Sequence, residues 1–386
     1  MQVKVVVPVW GIDYIETFIK LSLASQLSKS NLPLISKKYK VEYVIYTLKS
    51  DKLYLKNSES IKILEKFANV RFETINKLKT RDTYRTYGRI HHKELKKSSK
   101  INECVFLINA DFVFSNGFFD QTINEIKKGK RVVNIVCPRA NLEPVKTFLL
   151  SRFSKSTEII EIKPKYLTNI YLRNIHKMMN YHIFPKSNDS AFLPSSLMWQ
   201  AKNGSLYVRN FHFHPVLIYP NSKKIKRITT TIDDGYIIDI FDKNEIYYQK
   251  NSNKYYAIEL SKKSLFYKPV GTYGDNSKIT NYFVMQNKTN FINYNEEVIV
   301  GKINKKEMVN FRMQSEKELR RLAVDLIYET NRTKKFRYYV LIKVYWLLIS
   351  HIAKKKQYIP SFILTKLENI HNTILKDFFR FKKSFN

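Results

Sequence analysis

The chain is 386 residues long and 44% hydrophobic, so it buries a full core and is not a disordered polypeptide. Its 68 Lys and Arg against 33 Asp and Glu leave a formal charge of +35, spread along the whole length. Such a field calls for an anionic partner: nucleic acid, anionic lipid or a phosphorylated substrate. The two cysteines, Cys104 and Cys137, lie in apolar runs; they read as small buried hydrophobes in a reducing compartment and exclude a disulfide framework or a cysteine-based zinc site.

Val3-Lys4-Val5-Val6-Val7-Pro8 is too short and too β-branched for a secretion signal, and no uncharged run reaches the ~18–20 residues that a membrane-spanning helix needs. The chain is therefore expected in the cytosol, or on a membrane from its cytosolic side. The same run predicts a buried, parallel first strand that ends at Pro8-Val9-Trp10-Gly11. An amphipathic helix is expected over 14–27, a strand at Val41–Thr47, a helix through Ile61, Leu64 and Phe67, and a short strand at Val70–Phe72. Strand and helix alternate, which builds a parallel sheet with right-handed crossovers. Gly11 stands alone after the first strand, so neither a dinucleotide-binding glycine fingerprint nor a P-loop is present.

A helix carrying Arg85 and Arg89 comes next, followed by Cys104-Val105-Phe106-Leu107-Ile108-Asn109-Ala110-Asp111. Here an apolar strand stops at a lone carboxylate, with a turn and a helix over 118–128 beyond it. An acid just past the carboxyl end of a central strand sits where open α/β sheets bind ligands. Asp111 is thus placed to hold a divalent cation or a ribose hydroxyl; the competing reading is a helix cap. Arg131–Arg139 reads as one further strand ending at Arg139, and a helix is expected over 166–181.

Phe211-His212-Phe213-His214-Pro215 alternates, which on a strand puts both imidazoles on one face. Ile232-Asp233-Asp234-Gly235-Tyr236 follows as an acidic loop. Residues 241–304 give no clear pattern, and a helix is expected over 316–328. From Lys334 on there are twelve Lys and Arg against two acids, flanking an apolar stretch from Tyr338 to Ala353. That pattern suits a helix lying in an anionic membrane surface, or a core helix with a basic rim. Three parts are expected: 1–240, a completing 241–332, and a basic helical extension over 333–386.

Taken together, Val7-Pro8-Val9-Trp10-Gly11, Asn109-Ala110-Asp111, His212-Phe213-His214-Pro215 and Ile232-Asp233-Asp234-Gly235-Tyr236 resemble the motifs of a nucleotide-sugar glycosyltransferase of the GT-A type, of the kind found in bacterial surface-polysaccharide pathways. The similarity covers roughly residues 1–240. It implies a GT-A-like, Rossmann-related α/β fold with a mostly parallel sheet flanked by helices. It also implies a nucleotide-sugar donor and a glycan or lipid-linked acceptor. Pro8 and Trp10 would cradle the base, with Asn109 and Asp111 at the family's Asp-any-Asp position.

The departure is Asn109, which leaves Asp111 as the one charged ligand for Mn²⁺ or Mg²⁺ in that triplet. His212 or His214 would then complete a metal shell. The alternative is a metal-independent enzyme whose arginines and lysines neutralise the diphosphate. Arg85, Arg89 and Arg139 are candidates for ribose or phosphate contact, or else surface charges; Asp233 and Asp234 are candidates for the acceptor's general base, or else a helix cap. The histidines have core packing as their competing reading. Two other classes stay open. A nucleic-acid-binding protein would carry a clustered basic stripe or a reader motif, and no such motif is present. A noncatalytic membrane-surface scaffold would leave the His-any-His and Asp-Asp segments without a use.

Overall fold

A computed structural model describes residues 1–324 apart from 76–82, 152–157, 229, 230, 234, 267 and 287. Met1–Asp325 pack as one unit. The expected extension over 333–386 and Asp234 lie outside the described residues.

Sixteen strands are described, in chain order β1 (Gln2–Pro8), β2 (Val41–Thr47), β3 (Asn69–Thr74), β4 (Glu103–Leu107), β5 (Phe112–Phe114), β6 (Val132–Ile135), β7 (Arg139–Asn141) and β8 (Ile183–Phe184). Then follow β9 (Ala191–Phe192), β10 (Ser196–Gln200), β11 (Leu206–Asn210), β12 (His214–Ile218), β13 (Ile246–Tyr248), β14 (Ala257–Ser261), β15 (Gly271–Thr272) and β16 (Glu297–Val300). The central sheet has the order β13-β6-β12-β4-β1-β2-β3. Its neighbours pair in parallel except at β12, which runs antiparallel to both β4 and β6. The chain is a mixed α/β protein built on a parallel-rich sheet.

The continuous apolar runs have a direct cause. Val5 and Val7 of β1, Tyr43 and Ile45 of β2 and Cys104 and Phe106 of β4 pack on one face of the sheet. Val6, Val44, Val105 and Leu107 pack on the other. Both faces are covered, so neither set of alternate positions is polar. Lys4 is the exception inside β1. It is buried and forms ion pairs with Glu103 at 2.7 Å, Glu94 at 3.3 Å and Glu42 at 3.4 Å.

The helix after β1 begins at Ile12 and becomes π-helical over Phe18–Leu23. The expected strand 131–139 divides in two. Proline at 138 supplies no N–H for a ladder, and the chain leaves the central sheet between β6 and β7. Beyond it β7 joins a second, small sheet of order β5-β14-β7. The expected helix over 166–181 is an α-helix at Pro164–Arg173 followed by a 3₁₀ turn at Lys177–His182. The helix expected from 316 starts earlier and runs over 305–324 within the described residues. Residues beyond 240 add β13 to the central sheet and β14 to the small one.

Candidate functional site

β4 ends at Leu107, and Ile108 still donates its N–H to Val6 of β1 at 3.1 Å. The chain then turns at Asn109, whose carbonyl accepts from Phe112 N–H at 3.2 Å. Asp111 is thereby set just past the carboxyl end of the central strand. Its own carbonyl accepts from Leu260 N–H of β14 at 2.9 Å, which ties the turn to the small sheet.

β14 brings a residue that the sequence reading passed over. Glu259 pairs in register with Phe112 on one side and Arg139 on the other. Arg139 Nη2 lies 2.8 Å from Glu259 Oε1, and Nη1 donates to Ser261 Oγ at 3.4 Å. Asp111 and Glu259 are only partly exposed. Burial pushes the Asp111 carboxyl well above the usual carboxylate range, the Glu259 charge adds to it, and Arg139 opposes both. Glu259 is raised as well, first by burial and then by Asp233, with Arg139 again opposing. The site therefore holds two carboxyls in the field of one guanidinium, which is ion-paired with Glu259.

The helix Thr83–Ser98 forms the adjoining wall. Its Tyr87 ring leans on Trp10, with centroids 5.3 Å apart, and the Tyr87 hydroxyl lies 3.5 Å from the carbonyl of buried Pro8. One turn later, His91 meets Tyr87 edge-on at 6.0 Å. Tyr87 and His91 face inward because they are four residues apart on one helical face. Arg85 and Arg89 are also four apart, on the opposite, exposed face.

The two histidines of the 211–215 segment do different things. β12 begins at His214, so His212 precedes the strand and the expected shared strand face is not formed. Burial alternates nonetheless, with Phe211 and Phe213 fully inside. His214 Nε2–H donates to the Leu107 carbonyl at 2.8 Å, and its ring packs edge-on against Phe112 at 5.0 Å. Burial lowers the His214 pKa, against the opposing pull of that carbonyl and of Asp233. His212 Nδ1 faces the Asp233 carbonyl at 3.2 Å, and Nε2 faces the Tyr282 hydroxyl at 3.2 Å. Asn290 Nδ2 donates to the same Asp233 carbonyl at 2.9 Å. His212 and Asn290 thus peg the backbone of the acidic loop, which leaves the Asp233 side chain partly exposed and electrostatically felt by Glu259, His214 and His91.

The donor set Asp111–His212–His214 expected for Mn²⁺ or Mg²⁺ is not assembled. Among the described residues no three His, Cys, Asp or Glu side chains gather as a cation requires. The reason lies in the histidines: His212 is spent on the loop and His214 Nε2 on Leu107. Glu259 is already ion-paired with Arg139, so the described residues do not form a protein-built metal centre.

The residues that sequence reasoning missed had faint signals. Glu259 is a single acid inside the apolar run Tyr256-Ala257-Ile258-Glu259-Leu260, and Tyr87 and His91 share helical spacing. Neither pattern names its neighbour across the fold.

No protein-family model matches the chain, and no curated protein matches it. Among solved structures, a 4-diphosphocytidyl-2C-methyl-D-erythritol synthase from Anaerococcus prevotii DSM 20548 aligns at 16% identity and a TM-score of 0.23, over 37% of this chain. The aligned chain spans 56% of that synthase's length. A galactosyltransferase, LgtC, in complex with donor and acceptor sugar analogs, aligns at 8% identity and a TM-score of 0.27, over 69% of this chain and 88% of that one.

Proposed function

We propose that the chain transfers a glycosyl group from a nucleotide-sugar donor to a hydroxyl acceptor, in the crevice beyond the carboxyl ends of β1 and β4. The observation that carries this reading is the placement of Asp111 beside the Arg139–Glu259 pair at that edge, with Trp10 and Tyr87 along it. Open α/β sheets bind ligands at this edge, and planar aromatic rings suit a nucleobase. Negative charge grows on the leaving diphosphate as the glycosyl bond breaks, and a guanidinium there lowers the barrier. Arg139 is that guanidinium in our reading, drawn from Glu259 to the phosphate oxygens when donor binds. Asp233, held by its backbone on a pegged loop, takes the acceptor proton.

The acceptor we propose is a lipid-linked glycan precursor at an anionic membrane, on the strength of the twelve Lys and Arg against two acids from Lys334 onward.

The test is thermal stabilisation by UDP, GDP, CDP, CMP and ADP, each with and without Mn²⁺. Binding to the native state raises the midpoint by mass action, worth about 2.7 kcal/mol at a hundredfold excess over Kd. One nucleotide class should stabilise the protein, and Arg139→Met should weaken that binding about tenfold or more. A flat panel together with salt-sensitive retention on DNA would overturn the reading in favour of a nucleic-acid-binding protein.

A further inference from the structure

His91 is 3% exposed, and among the described residues neither of its ring nitrogens has a hydrogen-bond partner. Buried polar groups in native proteins are nearly always paired, so an imidazole left bare on both sides asks for a reason. Its surroundings point to one. The groups that act on it electrostatically are the His214 imidazole, which packs on Phe112 next to the Asp111 turn, and the Asp233 carboxylate, proposed above to take the acceptor proton. Tyr87 covers it edge-on, and the Tyr87 hydroxyl is held by a contact of 3.5 Å to Pro8, at the limit of a hydrogen bond. His214 cannot offer its Nε2 to His91, because that N–H is committed to Leu107.

The chemistry of the missing partner follows from the protonation state. Burial, helped by His214, drops the His91 pKa to about 3, so the ring is neutral at physiological pH. A neutral imidazole presents one N–H and one bare lone pair. The lone pair can be satisfied only by a group with a proton to give. A diphosphate has none, and a hydroxyl does.

We propose that His91 is a binding residue for a hydroxyl of the nucleotide-sugar, reached when the Tyr87 ring swings aside. This rests on the donor reading above. A site built to hydrogen-bond a hydroxyl discriminates strongly against the analogue that lacks it, because the buried partner is then left unpaired. His91 is therefore a specificity-determining group. The hydroxyl belongs either to the ribose or to the transferred sugar, and the two are separable by experiment.

His91→Phe keeps a ring in the space and removes both nitrogens; His91→Gln restores a donor and an acceptor. Midpoints would be read for wild type and both variants, alone and with UDP, GDP and CDP. The same nucleotides carrying glucose, and the 2′- and 3′-deoxy forms of whichever binds, complete the set. The unliganded His91→Phe protein should melt at or above wild type, since an unpaired buried group has been removed. Its affinity should fall about tenfold or more, with partial recovery in His91→Gln. Loss already seen with the bare diphosphate assigns the ribose, and the deoxy form then shows no loss. Loss confined to the glucose-bearing forms assigns the transferred sugar.

An unliganded His91→Phe midpoint several degrees below wild type overturns the proposal, because the imidazole is then satisfied in the free protein. Unchanged affinity overturns it too, while leaving the donor reading intact. A wild type that binds none of the nucleotides overturns the donor reading and this inference with it.

Discussion

Asp111 and Lys4 show how single ionisable groups behave in opposite ways in one sheet. Asp111 is raised because its carboxyl is buried beside Glu259. An acid with a raised folded pKa holds its proton longer when folded, so its contribution is fully present below the unfolded value and is lost as pH rises through the folded one. Asp111→Asn removes that loss. We expect it to raise the melting midpoint at pH 8–9 and to leave it nearly unchanged near pH 4, where the native carboxyl is already protonated. A midpoint gain that is the same at both pH values would contradict the shift.

Lys4 is the reverse case. Burial works to lower its pKa, but the Glu103 hydrogen bond and the Glu103, Glu94 and Glu42 charges outweigh it and leave the pKa raised. Glu94, fully buried, is lowered on balance: burial opposes, while Tyr46, 2.5 Å away, together with Lys4, Lys97 and Arg71, prevails. Replacing Lys4 with Met strands buried carboxylates, at a cost of about 3–5 kcal/mol in urea unfolding at pH 7. Because a lowered acid loses its stabilisation as pH falls, that cost should shrink below about pH 4. A cost that persists there would mean that packing, not charge, is the reason.

At the level of elements, the helix Thr83–Ser98 carries both the arginines that the sequence singled out and inward residues that it did not. Its arginines drew the sequence argument because cations suggest phosphate. Yet Arg85 and Arg89 lie on the exposed side, whereas Tyr87 and His91 line the inner one. Which face of an amphipathic helix meets a ligand depends on where the helix docks, and periodicity does not record that. The segment after Asp111 is better determined locally. Gly117 has φ of +78° at the entrance to the helix Phe118–Lys127, a left-handed conformation that side chains disfavour. A Cβ there would meet nothing within 4 Å. Gly117→Ala should therefore cost about 1–2 kcal/mol from backbone strain alone, as measured by denaturant midpoint at unchanged slope. A larger cost would mean that the surroundings close on that position.

For the whole molecule, the charge of +35 is the dominant long-range property. Its densest apolar-and-basic stretch begins at Lys334, beyond the described residues, and the membrane assignment remains our proposal from sequence. Truncation before Lys334 removes a net +10, twelve cations less two acids. It should abolish sedimentation with anionic vesicles at 0.1 M salt while leaving nucleotide stabilisation intact. Retained vesicle binding would place the membrane contact elsewhere.

The sequence by itself determined the alternation of strand and helix along the first part of the chain. β1, β2 and β4 are legible because a sheet covered on both faces demands uninterrupted apolar runs, and Asp111 is legible because a charge ends such a run. The short strands β5, β7 and β14 were not legible, since three to five residues carry too little periodicity to stand out. Only the tertiary structure decided that Glu259 meets Arg139 and that His212 secures a loop. It alone decided that His91 lies behind Tyr87, unpaired among the described residues. Each depends on residues far apart in the chain arriving at one sheet edge, and local spacing carries no record of such meetings.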